Sequence, residues 1–175
     1  MFQDESRFGR ITDPKRCWAP KGIRPVINKQ MIREYTYAYG AFSPLDGRND
    51  LLILPNMTSA VMNIFLKELS IRHKDEIILL FMDQAPCHGK KIIKKPRNIM
   101  IEYLPPYSPE LNPSENVWED MKEKYFVNKV FNSMTSVENK LIEACLHYEN
   151  NPEIVKSICG FTWIVDAIKK LPIDR

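Results

Sequence analysis

With 175 residues, 44% of them apolar, the chain has material for one ordinary domain with a proper core and little room for a second. Thirteen prolines stand against six glycines, and the glycine spacing writes neither G-x-G-x-x-G nor G-x-x-x-x-G-K-[ST], which excludes nucleotides held in those two ways. A net charge of +3, an apolar run no longer than Ile77 to Met82, no secretory signal at the start and four cysteines without a C-x-x-C pair predict a cytoplasmic protein with no membrane partner.

The predicted elements are mixed. Residues 1–8 read as a strand, and 34–43 as a second, rich in β-favouring aromatics. After the turn Pro44-Leu45-Asp46-Gly47, the run from Asp50 to Leu54 returns as a third strand of a hairpin or meander. Thr58 caps a helix to about His73, with Val61, Ile64, Phe65, Leu66 and Leu69 at helical spacing. The strand from Glu76 to Asp83 does not alternate, the mark of burial on both faces in a parallel sheet. Pro86 to Lys95 reads as a short helix, and Ile99 to Leu104 as a strand. The stiff loop PPYSPELNP opens a helix from Pro113 to about Phe126, with Val117, Trp118, Met121 and Tyr125 on one stripe. A further helix covers Ser136 to Tyr148, and a helical tail from Pro152 to Leu171 breaks at Gly160. Strands, then alternation, then helices predict an α/β fold: a mixed sheet with helices packed on it.

The positive charge is unevenly placed. Between Arg7 and Lys29 there are seven basic residues and one acid, Asp13. The stretch KKIIKKPR puts Lys90, Lys91, Lys94, Lys95 and Arg97 together with no acid among them. Such clusters suit a polyanion, because every phosphate neutralised releases counterions. A solvated helix face is the plainer reading of either run.

Three acids stand where chemistry could sit. Asp4 lies within or at the end of the first strand, and Asp83 closes the apolar strand at the carboxyl end, where open α/β sheets place their sites. Glu115 sits in the first turn of a helix delivered by the proline-rich loop. Three converging carboxylates repel and call for cations; oxygen-only ligands suit Mg²⁺ or Mn²⁺, and two such ions form a device for in-line attack on phosphodiesters. Each acid also has a duller explanation. Asp4 could be solvated near a terminus, Asp83 could serve a turn or cap ahead of Pro86, and Glu115 could be the N3 residue of a capping box opened by Asn112.

The blocks FQDESRFG, WAPKG (Trp18 to Gly22), FMDQAPCH and LPPYSPELNPSENVWEDMK add a resemblance. In order and content they resemble the catalytic domain of DDE transposases of the mariner superfamily, closest to the bacterial insertion-sequence branch. The resemblance implies an RNase H-like fold filling residues 1–175 as a single domain. It implies Asp4, Asp83 and Glu115 as the catalytic and metal-binding triad, holding two Mg²⁺ or Mn²⁺ ions. The reaction implied is cleavage of transposon ends and joining of the freed 3′-hydroxyl to target DNA, by a homodimer on DNA. His88 matches a family histidine expected to touch a phosphate or a ligand carboxylate, with a surface histidine at a helix end as the plainer reading. Trp118 matches a family aromatic but reads first as core.

Three departures qualify that expectation. The family's upstream helix-turn-helix region does not appear in the sequence, which predicts a partner polypeptide joined by frameshift fusion. Asp83 and Glu115 are separated by 31 residues (115 − 83 − 1), fewer than the family usually has. Gln84 stands where an asparagine commonly follows the second acid. The competing readings are an inactive or domesticated DNA-binding remnant of the same fold, and a host RNase H-like nuclease.

Overall fold

The computed structural model describes residues 1–12, 14–89 and 92–170, apart from the side chain of Cys87. Strands β1 (Phe2–Ile11), β2 (Met31–Phe42), β3 (Asn49–Leu54), β4 (Ile78–Met82) and β5 (Ile99–Tyr103) form one sheet in the order β3-β2-β1-β4-β5. The pairs β1–β2 and β2–β3 are antiparallel, whereas β1–β4 and β4–β5 are parallel. The first strand therefore lies at the centre, where the meander meets the parallel half. It runs beyond its expected end at residue 8, because β2 pairs with it as far as Ile11↔Met31, through a register shift after Gly9.

Helices α1 (Ser59–Arg72), α2 (Ser114–Tyr125), α3 (Met134–Asn150), α4 (Pro152–Cys159) and α5 (Thr162–Lys169) cover the two faces. Thr58 caps α1 by accepting from the Val61 amide, as its position predicts, and Ser133 caps α3 through a reciprocal box with Ser136. Alternation along β2 sorts the core into two halves. Ala38 and Phe42 face Val117, Trp118, Met121, Leu141 and Tyr148 of α2 and α3, while Tyr39 and Ala41 face Met62, Phe65, Leu66 and Leu69 of α1. Strand β4 sends Ile78, Leu80 and Met82 into the α1 half. Its other face is only partly buried: Phe81 stacks on Phe2 at 4.9 Å, beside Ile164 of α5. The even run of apolar residues thus corresponds to one wholly buried face and one covered by a single short helix.

Among the described residues the helix expected over Pro86 to Lys95 is absent. One 3₁₀ turn, Pro86–His88, is followed by irregular chain from Ile92 to Asn98. The Asn63 side chain explains the difference, since its Nδ2 donates to the Ile92 carbonyl and its Oδ1 accepts from the Lys94 amide. Backbone groups that a helix would use are thereby captured by α1. Among the basic residues singled out there, Lys94, Lys95 and Arg97 are exposed, while Lys90 and Lys91 lie outside the described residues, as does the end of the tail at Leu171.

Two glycines hold the packing close. Gly47, at φ 78°, turns the β2–β3 hairpin, and a Cβ there would stand 1.8 Å from the Pro152 carbonyl oxygen. A Gly47→Ala variant is expected to lose at least about 2 kcal/mol in urea unfolding, from backbone strain plus the clash with the start of α4. Gly40 pairs with Asp4 across β1 and β2, and a Cβ there would meet the Phe42 ring at 2.6 Å and the Trp118 ring at 2.8 Å. Among the described residues no helix is long and apolar enough to cross a membrane.

Candidate active site

Asp4, Asp83 and Glu115 come from three distant stretches of chain and line one cleft of about 360 Å³. Asp4 is the third residue of β1, and Asp83 follows the last residue of β4. Glu115 is the second residue of α2. The remaining wall is the loop from Leu104 to Pro109, with Gln84, Ala85 and Asn112.

The loop is stitched to the strand that carries Asp4. Asn112 donates from Nδ2 to the Gln3 carbonyl at 3.2 Å, and Ser114 Oγ donates to the Phe2 carbonyl at 3.1 Å. Both residues are buried. The same Asn112 accepts the Ser114 amide on Oδ1, so one side chain both opens α2 and ties it to β1. Gln84 donates to the Leu104 carbonyl at 2.8 Å and fixes the opposite wall. The capping-box reading of Glu115 is corrected here. Residue 113, a proline, occupies the flanking position of α2 without a side-chain cap, and the Asn112 amide turns back to the Pro109 carbonyl. The Glu115 carboxylate makes no hydrogen bond among the described residues and is left to the cleft.

His88 is no surface residue at a helix end. It is 1% exposed and lies between two carboxylates, with Nδ1 2.5 Å from Asp83 Oδ1 and Nε2 2.8 Å from Glu5 Oε1. The Asp83 contact is with a carboxylate that the resemblance implies as a ligand. Glu5 was not singled out in the sequence. It follows Asp4 directly, so alternation sends it to the opposite face of β1, where its side chain is 3% exposed. Asp83 Oδ1 also accepts the Ala85 amide at 3.0 Å, whereas Oδ2 makes no hydrogen bond among the described residues. Removing the imidazole alone strands a buried carboxylate. His88→Ala is therefore expected to cost about 3–5 kcal/mol in a urea titration, and His88→Leu combined with Glu5→Leu to recover most of it.

The electrostatics of the three acids differ. Burial pushes Asp4 up to about 7, and the charges of Glu5, Asp83 and Glu115 push the same way. Glu115 is raised by burial and by the Glu119, Asp83 and Glu110 charges. Asp83 is lowered, first by the hydrogen bond from His88. Asp4 and Glu115 pair with no cation among the described residues. Nor, among those residues, is any group of three or more His, Cys, Asp or Glu side chains gathered tightly enough to hold a metal ion as it stands. The donor set nevertheless suits a hard divalent cation. It is oxygen-only, rich in negative charge, and includes one carboxylate oxygen already committed to a rigid partner.

The model of the DDE superfamily endonuclease family matches residues 1–138. The chain belongs to the DDE endonuclease superfamily. The uncharacterized protein y4pE/y4sA of Sinorhizobium fredii (strain NBRC 101917 / NGR234) is 33% identical over 130 residues, 74% of this DDE endonuclease chain and 96% of its own length. Among solved structures, the Mos1 mariner paired-end complex with Mn is similar over 95% of the chain at a TM-score of 0.60 and 17% identity. The Mos1 strand transfer complex is similar over 91% at 0.56, also at 17% identity. A Mos1 paired-end complex with Mg matches over 95% at 0.58. The fold is thus the RNase H-like α/β fold of this superfamily, and the chain spans about half the length of the Mos1 chains it matches.

Proposed function

We propose that this DDE endonuclease is the catalytic domain of a transposase. It would cleave DNA strands at transposon ends and transfer the freed 3′ ends to target DNA. The observation that carries the reading is the single cleft lined by Asp4, Asp83 and Glu115 at the carboxyl end of β4. The similarity to Mos1 paired-end and strand transfer complexes supports it.

Asp4, Asp83 and Glu115 are the residues that would hold two Mg²⁺ or Mn²⁺ ions. When bound, such ions activate the attacking oxygen and stabilise the leaving one in an in-line displacement at phosphorus. The chain's own residues supply the setting. Burial pushes the Asp4 carboxyl up to about 7, and as a ligand it would act in its ionised form. The Glu5–His88 pair holds Asp83 and engages its Oδ1, which leaves the other oxygen without a hydrogen bond among the described residues. Asn112 and Ser114 set Glu115 beside Asp4 through the backbone of β1. The prolines of the loop stiffen that wall.

The wider assembly belongs to the same proposal. Residues 1–175 act as one catalytic domain in the cytoplasm, working as a homodimer on DNA, with base reading supplied by a helix-turn-helix region joined by frameshift fusion. The test is nicking of supercoiled DNA by the chain. Nicked circles that appear with Mn²⁺ or Mg²⁺, vanish with chelator and return with metal are the expected result. Binding without nicking under every metal condition would favour an inactive remnant. Cleavage of structured RNA or DNA, with no joining of 3′ ends to a target, would favour a host nuclease.

A further inference from the structure

A second cavity, of about 290 Å³, opens where β1, the end of α2 and the turn after it meet. It draws on the amino-terminal basic run but is completed from elsewhere in the chain. Arg7, Arg10 and Lys15 meet Lys122 of α2 and Lys129, and no acidic side chain stands among the described residues that line it. Arg10 is already spent, donating to Glu34 and to the Phe131 and Asn132 carbonyls. The other four cations form no salt bridge among the described residues. The Arg7 guanidinium carbon sits over the Tyr35 ring at 4.4 Å, and the Lys122 ammonium sits over Phe8 at 5.6 Å. Reciprocal bonds between Asn128 and the backbone of Lys15, at 2.9 and 3.1 Å, hold the rim together.

Four cations without an ion pair among the described residues converge on one hollow and repel one another, unlike a solvated face whose charges alternate in sign, so the hollow suits an anion from outside. Its place relative to the acids identifies which. The cavity shares β1 and α2 with the acidic cleft. Seven residues along a helix from Glu115 to Lys122, two turns on one face, cover about 10 Å, whereas Arg7, three residues from Asp4, lies on the other face of β1. One strand of DNA advances about 3.4 Å per nucleotide, so that distance is about three nucleotides.

We propose that this pocket binds the backbone phosphates of the DNA strand held in the acidic cleft, about three nucleotides from the bond that is cut. The assignment rests on the nuclease reading of that cleft. Lys122 is its anchor, with Arg7, Lys15 and Lys129 at the rim. These are positioning contacts and carry no base preference.

The experiment is fluorescence anisotropy of a labelled oligonucleotide with the chain, at several salt concentrations and without metal. Arg7→Gln with Lys122→Met removes two charges while keeping the methylene packing of Lys122 on Phe8. Affinity at low salt is expected to fall on the order of tenfold, and the log–log salt slope to shrink by about 1.5–2. Lys67→Gln with Lys74→Gln, the same charge change on the α1 side, should leave both nearly unchanged. A neutral methylphosphonate placed three nucleotides from the cut site should make wild type and the pocket variant bind alike. Equal binding by wild type and pocket variant, or an equal loss in the control pair, would overturn the pocket. A wild type that never nicks DNA but shows the predicted binding losses would refute the nuclease reading and leave the phosphate site standing. Normal nicking by the pocket variant with unchanged binding would do the reverse.

Discussion

Replacing Glu115 by Gln is expected to abolish metal-dependent nicking while leaving the metal-free fold intact. Gln preserves the volume and length of the side chain, and no hydrogen bond of the cap is lost, because Asn112 and Ser114 open α2 without help from Glu115. The lost interaction of the carboxylate with the helix dipole costs about 0.3–1 kcal/mol. Relief of the repulsion that now raises the Glu115 proton affinity acts in the opposite direction. A neutral amide, however, is a poor ligand for a hard divalent cation. Loss of several kcal/mol of charge stabilisation corresponds to a rate lower by about 10²–10⁴-fold. Melting curves with and without Mn²⁺ separate the two effects: the variant should match wild type without metal and lack the upward shift with it. A Glu115→Gln protein that nicks at the wild-type rate and keeps its Mn²⁺ shift would remove Glu115 from the site.

The second large effect is a pH dependence carried by Asp4. Its carboxyl ionises near 3.8 in the unfolded chain and only near 7 in the folded one, with burial the first cause. Between those values the unfolded chain has shed the proton and the native one has not, so raising the pH favours unfolding. The stability in question is fully present below pH 4, is lost as the pH climbs to 7, and stays lost above it. A shift of about three units is worth on the order of 4 kcal/mol. Asp4→Asn removes the titration and keeps the shape. The variant should therefore melt near wild type at pH 4 and about 8–16 °C higher at pH 8, at 2–4 °C per kcal/mol for a chain of this size. Mn²⁺ should narrow the gap by stabilising only the wild type, and more at pH 8 than at pH 5. A difference in melting temperature that stays flat across the range would show that Asp4 ionises freely in the native state.

Much of this was legible in the sequence, for reasons that can be named. Helix α1 begins after Thr58 and gives way at His73 as expected, because cap chemistry and helical spacing are local signals. The carboxyl end of β4 was legible as the place of Asp83, since a short apolar run ending in an acid is hard to read otherwise. The stretch from Pro86 to Lys95 was not, because the Asn63 side chain that unwinds it belongs to α1. Glu5 escaped notice for a related reason: its partner His88 lies 83 residues away, and Asp4 beside it held the chemical interest. Nor could the basic run show its use, since Lys122 and Lys129 reach the same hollow from beyond the proline-rich loop.

The pairing of Gly40 with Asp4 has a consequence for how such a site can evolve. The ring of Trp118 rests in the space where a side chain at residue 40 would begin, and Trp118 stands one helical turn after Glu115. The spacing between the strand that bears the first acid and the helix that bears the third is thus set by a hydrogen atom rather than by a ligand. A lineage could widen the catalytic gap by one methyl group at residue 40, tilting the helix and leaving every carboxylate in the sequence. On the proposed reading of the cleft, metal preference and cutting geometry would then drift through a position that does not line it.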